Sequence, residues 1–284
     1  MRYKTSTVLM FTLPGLIGLL AFYAVPFAWG FYLSLMSDAA KSTFIGFENY
    51  AKVIQNSIFV LGLQNSLLIT AMAAPICWVT AYVLAVVLQR CSFRTNFVRS
   101  TLIVPYIMPS SAILLYFLLL FDWGGMLNQV LGAFGIPRVL WLSGNLLRVP
   151  VIILYLWKNI GFCAIVFSAA MQSIPKPLYE FAELEGISVI RRETAITLPL
   201  IAPSSFLVIV FAVINSFKIF REAYFIGGPY PDPSIYTFQN YMNNMFQKLN
   251  FSNVIAGAYL FALIVVVIFG VLYLLQRRYQ HALS

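Results

Sequence analysis

Residues 178–199 read LYEFAELEGISVIRRETAITLP. The stretch holds Glu180, Glu183, Glu185 and Glu193, four of the nine acidic residues of the chain, beside Arg191 and Arg192. Long runs without charge lie on either side. A chain that gathers charge into one segment and removes it from the flanks is divided between two solvents. The segment marks where the chain leaves lipid for water.

The composition agrees. Of 284 residues 61% are hydrophobic and 10% charged, with a mean hydropathy of +0.86. A soluble domain carries about 25% charged residues, so lipid is the main solvent here. The net charge of +9 does not call for nucleic acid, because membrane proteins concentrate Lys and Arg in cytoplasmic loops. Cys77, Cys91 and Cys163 form no CxxC pair, and a disulfide or zinc framework is not expected. The opening MRYK precedes an uncharged run from Thr5 to Ser37 that is too long for a signal h-region. We read it as an uncleaved first membrane helix.

Spanning takes about 20 mostly apolar residues. Six stretches qualify: 9–36, 57–88, 100–121, 149–173, 198–217 and 252–276. Only the fourth contains a charge, Lys158. The expected fold is all-α, a polytopic membrane protein with six transmembrane helices in a single domain over 1–284. With a cytoplasmic N-terminus, the inner segments hold Arg2, Lys4, Arg90, Arg94, Arg99, Lys176, Arg191, Arg192, Arg277 and Arg278, and basic residues are more than twice as dense there as outside. Both termini and 174–197 are then cytoplasmic, and 122–148 and 218–250 external. Arg277, Arg278 and His281 read as a basic stop at the inner face. Pro14, Pro26, Pro75, Pro105, Pro109, Pro199 and Pro203 punctuate the spans. Membrane helices tolerate them where neighbours re-satisfy the freed carbonyls; the other reading is a set of kinks that shape a pathway.

No predicted span contains Asp or Glu, which argues against an ion-coupled transporter. One half of the chain does not obviously repeat in the other, and no TVGYG filter is present. HExxH and GxSxG are missing, and His281 is the one histidine. Enzyme chemistry and a bound cofactor are not expected. No GxxxxGK[ST] cradles ATP phosphates, so any energy must come from another polypeptide.

The opening segment resolves into two short helices. Pro177 suits a first turn, and nearby acidic residues would complement the dipole. Leu178, Phe181, Ala182 and Glu185 follow helical spacing, with Leu184 widening the apolar side. Gly186 is placed to end the helix, and Ser188 to cap a second one that runs into the fifth span. The first helix is too short to span and marginal alone in water. It is either a plug for another protein or a solvated loop.

The spacing resembles the EAA loop of the membrane subunits of ABC importers, whose pattern is roughly EAA-x3-G-x9-I-x-LP. Glu180, Ala182, Gly186, Ile196, Leu198 and Pro199 match it. Phe181 stands where a small residue is usual, and Glu185 replaces the more frequent Asp. IGFENY at 45–50, LQNSLLIT at 63–70, VPYIMPS at 104–110, WLSG at 141–144 and FIGGP at 225–229 extend the resemblance over nearly the whole chain, toward the first permease subunit of the maltose-permease type. The resemblance implies the type I ABC importer permease fold in a bacterial cell membrane. It implies a heterodimer with a second permease, a dimer of ATPase subunits that bind the ATP, and an extracytoplasmic sugar-binding protein. Within 174–197, Glu180 would pair with a basic residue of the ATPase, Phe181 and Leu184 would fill its cleft beside Ala182, and Gly186 would aim the helix.

Lys158 lies about 9 residues into the fourth stretch, roughly 14 Å deep at 1.5 Å per residue. There it either snorkels outward or faces a wet cavity. Tyr155, Asn159 and Phe162 share its broad helical face. The resemblance carries the sugar pathway to Tyr155, Lys158, Asn159 and Phe162 and to Asn215 of the fifth span. Importing a polyol or glycerol phosphate with the same architecture is an alternative. So is a non-transporting scaffold for an ATPase, which would need no polar groups such as Gln64, Asn65, Asn159 and Asn215 within its spans.

Overall fold

A computed structural model gives the architecture and describes residues 5–37, 43–90 and 95–283. Arg2, Lys4, Cys91, Arg94 and the side chain of His281 lie outside the described residues. Helices dominate, and the one β feature among the described residues is an isolated bridge between Met36 and Phe44. Among the described residues, six helical segments are long and apolar enough to cross a membrane: Leu9–Ser34, Ser57–Gln89, Ser110–Ala133, Gly144–Gln172, Ala202–Gly227 and Phe251–Arg278.

Two of these depart from the expected boundaries. The third stretch, expected at 100–121, is not one helix. Thr95–Ile107 ends before Pro109, and a new helix, Ser110–Phe121, starts after it. The ring of Pro109 disfavours helical backbone at Met108, and the break displaces the third span toward Ala133. The fifth span, expected at 198–217, continues to Gly227. It thereby takes in Lys218, Arg221 and Glu222, so a span does contain a glutamate. Charge ended the expected span too early: apolar residues run on around those three.

Prolines do not stop most of the helices. Pro75 lies inside the unbroken helix Ser57–Arg90, and Pro14 inside Thr5–Leu19. Both π turns, Leu20–Ala24 and Glu193–Thr197, end two residues before a proline, Pro26 and Pro199. In each, the next N–H reaches back five residues, Val25 to Leu20 and Leu198 to Glu193. The widened turn makes room for a ring that would otherwise meet the carbonyl four residues earlier.

The structure contains two compact units. One joins Met1–Val60 with Tyr241–Val266. In it Asn49 donates from Nδ2 to the carbonyls of Ser34 at 2.9 Å and Met36 at 2.7 Å, tying helix Glu48–Gln55 to the end of the first span. The apolar side chains of that span are almost all exposed, as befits a helix bathed in lipid.

The other unit joins Leu61–Asn240 with Val267–Ser284. Its core follows from small residues at helical spacing. Ala73, Cys77, Ala81 and Ala85 form a fully buried ridge along the second span. Small side chains let backbones approach, which is how membrane helices gain packing without a hydrophobic drive. Phe167 and Met171 of the fourth span fill the layer beside it. Gly161 carries the closest approach: a Cβ there would lie 1.9 Å from the carbonyl oxygen of Leu102. Cys77 and Cys163 are free, buried and 4.0 Å apart.

The loop after the fifth span is pinned from beneath. Asn65 donates to the carbonyls of Pro233 at 2.6 Å and Tyr236 at 2.9 Å. Arg148 donates to the Ser234 carbonyl at 2.8 Å and to Asn65 Oδ1 at 2.9 Å. Asn65 is thus a structural clamp, which its place in an apolar span did not disclose.

Candidate functional site

The fourth and fifth spans bring the intramembrane polar residues together. Tyr155, Lys158, Asn159 and Asn215 line one cavity of ≈ 290 Å³. Lys158 sits at the middle of its span, equidistant from Gly144 and Gln172. It is half-buried, and its Nζ donates to Ser110 Oγ at 2.5 Å. Asn215 donates from Nδ2 to Asn159 Oδ1 at 2.9 Å, and Asn159 donates in turn to the Tyr155 carbonyl at 2.8 Å. Lys218 Nζ donates to Asn215 Oδ1 at 3.2 Å. A chain of polarised groups in a low-dielectric setting is stiffer than its separate bonds.

Two expected members behave differently. The Tyr155 hydroxyl donates to the Ala212 carbonyl at 2.6 Å, so it locks span four to span five and is not free for a ligand. Phe162 does not line the cavity. It stacks on Tyr106 with ring centroids 4.6 Å apart and meets Phe211 edge-on. Tyr106 takes the place at the wall, and Phe162 supports it from behind.

Of nine further lining residues that escaped the sequence, five carry polar groups: Tyr106, Ser110, Lys218, Arg221 and Glu222. Ser110 is presented by the break at Pro109. Lys218, Arg221 and Glu222 stand at i, i+3 and i+4, which was the available signal: three charges on one face of a helix continuous with an apolar span. Glu222 is 7% exposed, and its Oε2 has no hydrogen-bond partner among the described residues.

A second candidate surface is the segment that opened the sequence. Helix Lys176–Leu184 carries Pro177 in its first turn but no acidic residue there, so the expected dipole compensation is not made. Its end is a Schellman motif: Gly186 donates to Glu183 at 3.1 Å and Ile187 to Ala182 at 3.0 Å. Gly186 adopts φ +64°, as that motif demands. Ser188 caps the next helix, Val189–Arg192, accepting from the Arg191 N–H. Phe181 is 61% and Leu184 88% exposed, and Glu180 is exposed beside them. Ala182 instead is wholly buried; its side chain seats the helix on the protein and is not available for contact with a partner.

Polar contacts bolt this helix down. Tyr179 hydroxyl and Thr197 Oγ1 are 3.2 Å apart. Arg192 pairs with Glu183 at 3.3 Å and with Glu193 at 3.4 Å, and lies over the Tyr179 ring. Glu193 accepts from the Tyr82 hydroxyl of the second span at 3.0 Å. The exposed apolar face is therefore held by polar contacts that reach span two and the turn leading into span five.

Known proteins resemble this chain in sequence and in fold. Residues 79–281 match the family described as binding-protein-dependent transport system inner membrane component. The chain is 33% identical over 216 residues to the sulfoquinovosyl glycerol transport system permease protein SmoG of Agrobacterium fabrum, covering 75% of this chain and 70% of that one. It is 27% identical over 263 residues to the sn-glycerol-3-phosphate transport system permease protein UgpA of the same organism, covering 89% and 88%. A crystal structure of a bacterial alginate ABC transporter in complex with alginate pentasaccharide-bound periplasmic protein has the same fold, with a TM-score of 0.79 at 21% identity over 96% of this chain and 95% of that one. The relatives are permeases, whose work is transport and not catalysis.

Proposed function

The chain belongs to the binding-protein-dependent transport system inner membrane component family, and from that membership we propose that it is the sugar-translocating permease subunit of an ATP-driven importer. One observation carries the sugar reading: an amide pair, Asn159 and Asn215, stands in a polar cavity at the centre of two apolar spans. A non-transporting scaffold has no use for such a cavity, because polar groups at that depth cost free energy unless they serve a passing ligand. SmoG and other permeases related to this chain support a glycosidic solute, and UgpA keeps a polyol phosphate as the second reading.

In this proposal a second permease completes the pathway. Two ATPase subunits bind the ATP and grip Glu180, Phe181 and Leu184, and an extracytoplasmic protein delivers the solute. Closure of the ATPase pair moves the Lys176–Leu184 helix, and its ties to Tyr82 and Thr197 pass that movement to spans two and five. Both termini lie in the cytoplasm. Vesicles containing the complete importer test the pathway. Asn159→Leu and Asn215→Leu are each expected to cut sugar counterflow about tenfold, the loss of one well-made polar contact, while ATP hydrolysis stimulated by the loaded binding protein persists. Unchanged counterflow in both variants would remove the cavity from the pathway.

A further inference from the structure

The cavity holds more charge than a neutral sugar needs. Lys158, Lys218 and Arg221 bring three cations to it and Glu222 one carboxylate. Among the described residues none of the four is in an ion pair, and Arg221 has no hydrogen-bond partner. Lys158 spends one donor on Ser110 and Lys218 one on Asn215, which leaves further N–H groups on each. Lys158 stands half-buried at the middle of its span and Lys218 and Arg221 are exposed, so three like charges lie around one cavity and repel one another unless something offsets them. Glu222 offsets only part, and its own Oε2, buried to more than nine-tenths, still lacks a donor.

We infer that the cavity receives a polyhydroxylated solute bearing an acidic group, a carboxylate, sulfonate or phosphate. The acidic group seats against Lys158, Lys218 and Arg221, and a solute hydroxyl donates to Glu222. The inference rests on the transport reading above and specifies its solute class. Each loose end is then met. The anion neutralises the surplus cations, Arg221 gains a bidentate partner, and the orphaned carboxylate oxygen gains a hydroxyl donor.

Two probes that differ only in that group decide it: glucuronosyl glycerol, which carries a carboxylate, and glucosyl glycerol, which carries a hydroxymethyl in its place. Each is equilibrated by dialysis with the purified importer, permease pair and ATPase together. The binding protein is omitted so that its own selectivity does not enter. The acidic probe is expected to be retained at least about tenfold more strongly, with the difference shrinking as salt rises and as inorganic phosphate competes. Lys158→Met and Arg221→Gln should each weaken the acidic probe about tenfold and leave the neutral one nearly unchanged. Glu222→Gln should act in the opposite direction, tightening the acidic probe several-fold, a gain that a misfolded variant cannot imitate. Equal or stronger retention of the neutral probe overturns the acidic class and leaves the sugar permease standing. Retention of neither probe removes the cavity as a glycoside site, and the sugar reading falls with it.

Discussion

At the scale of single residues, backbone conformation separates substitutions that look alike. Gly186 has φ +64° and open space around its Cα. Gly186→Ala therefore pays only for the left-handed backbone, about 1–2 kcal/mol, and the permease should still insert and transport at a reduced rate. Gly186→Pro is different. Proline fixes φ near −65°, and it deletes the N–H that Gly186 donates to Glu183. Transport should be lost while insertion continues. Glu180→Lys should likewise abolish transport and weaken recovery of the ATPase in a pull-down, because lysine would face a basic partner. Normal uptake in both Gly186→Pro and Glu180→Lys would show that this helix does not grip the ATPase. The exposed Phe181 and buried Ala182 were indistinguishable in the sequence pattern, where both lay on one apolar side. Which of them faces outward depends on what packs beneath, and spacing alone does not report that.

At the scale of elements, two local contacts are decisive, one between helices and one within a loop. Gly161 meets the backbone of Leu102, so even alanine would force helix Thr95–Ile107 away from the fourth span. The carbonyl is backbone and has no rotamer to escape into. Gly161→Ala should cost about 1–3 kcal/mol, read as a lower melting temperature of the purified complex, and Gly161→Leu should prevent assembly. An unchanged melting temperature for the leucine variant would deny the close approach. The loop over residues 232–237 rests on Asp232, whose carboxyl is held below its ordinary range by the Ser234 hydroxyl and by the Ser234 N–H at 2.8 Å. A depressed carboxylate stabilises the fold above its unfolded value, about 3.9, and the contribution is lost as pH falls through the lower folded value. The protection factors of the amides in 232–237, with the intrinsic pH dependence of exchange divided out, should therefore stay constant from pH 7 to about 4 and fall below it, and Asp232→Asn should lower them already at pH 7. A change confined to near-neutral pH would point to another group. The elements themselves were largely legible. Lys176–Leu184, its glycine stop and the Ser188 cap follow from local chemistry, whereas the break at Pro109 was one of seven prolines with nothing local to single it out.

At the scale of the whole molecule, topology is the open prediction. A single cysteine at position 184 in a cysteine-free background should resist an impermeant thiol reagent from outside intact cells, and one at position 134 should react. Labelling of position 184 from outside would invert the orientation and detach the helix from any cytoplasmic engine. The sequence by itself determined the solvent, the number of spans and the segment that leaves lipid, because hydrophobic run length and charge exclusion are summed locally and need no partner. It also determined the family, through the order of motifs along the chain. Only the tertiary structure decided the roles of the polar residues. Asn65 became a loop clamp, Tyr155 an interhelical bolt and Phe162 a support, while Lys218, Arg221 and Glu222 moved from an expected external loop to the wall of the cavity. The reason is physical: a polar side chain inside a membrane must satisfy its hydrogen bonds, and which group satisfies it is fixed by helices far apart in sequence, whose packing no local pattern encodes.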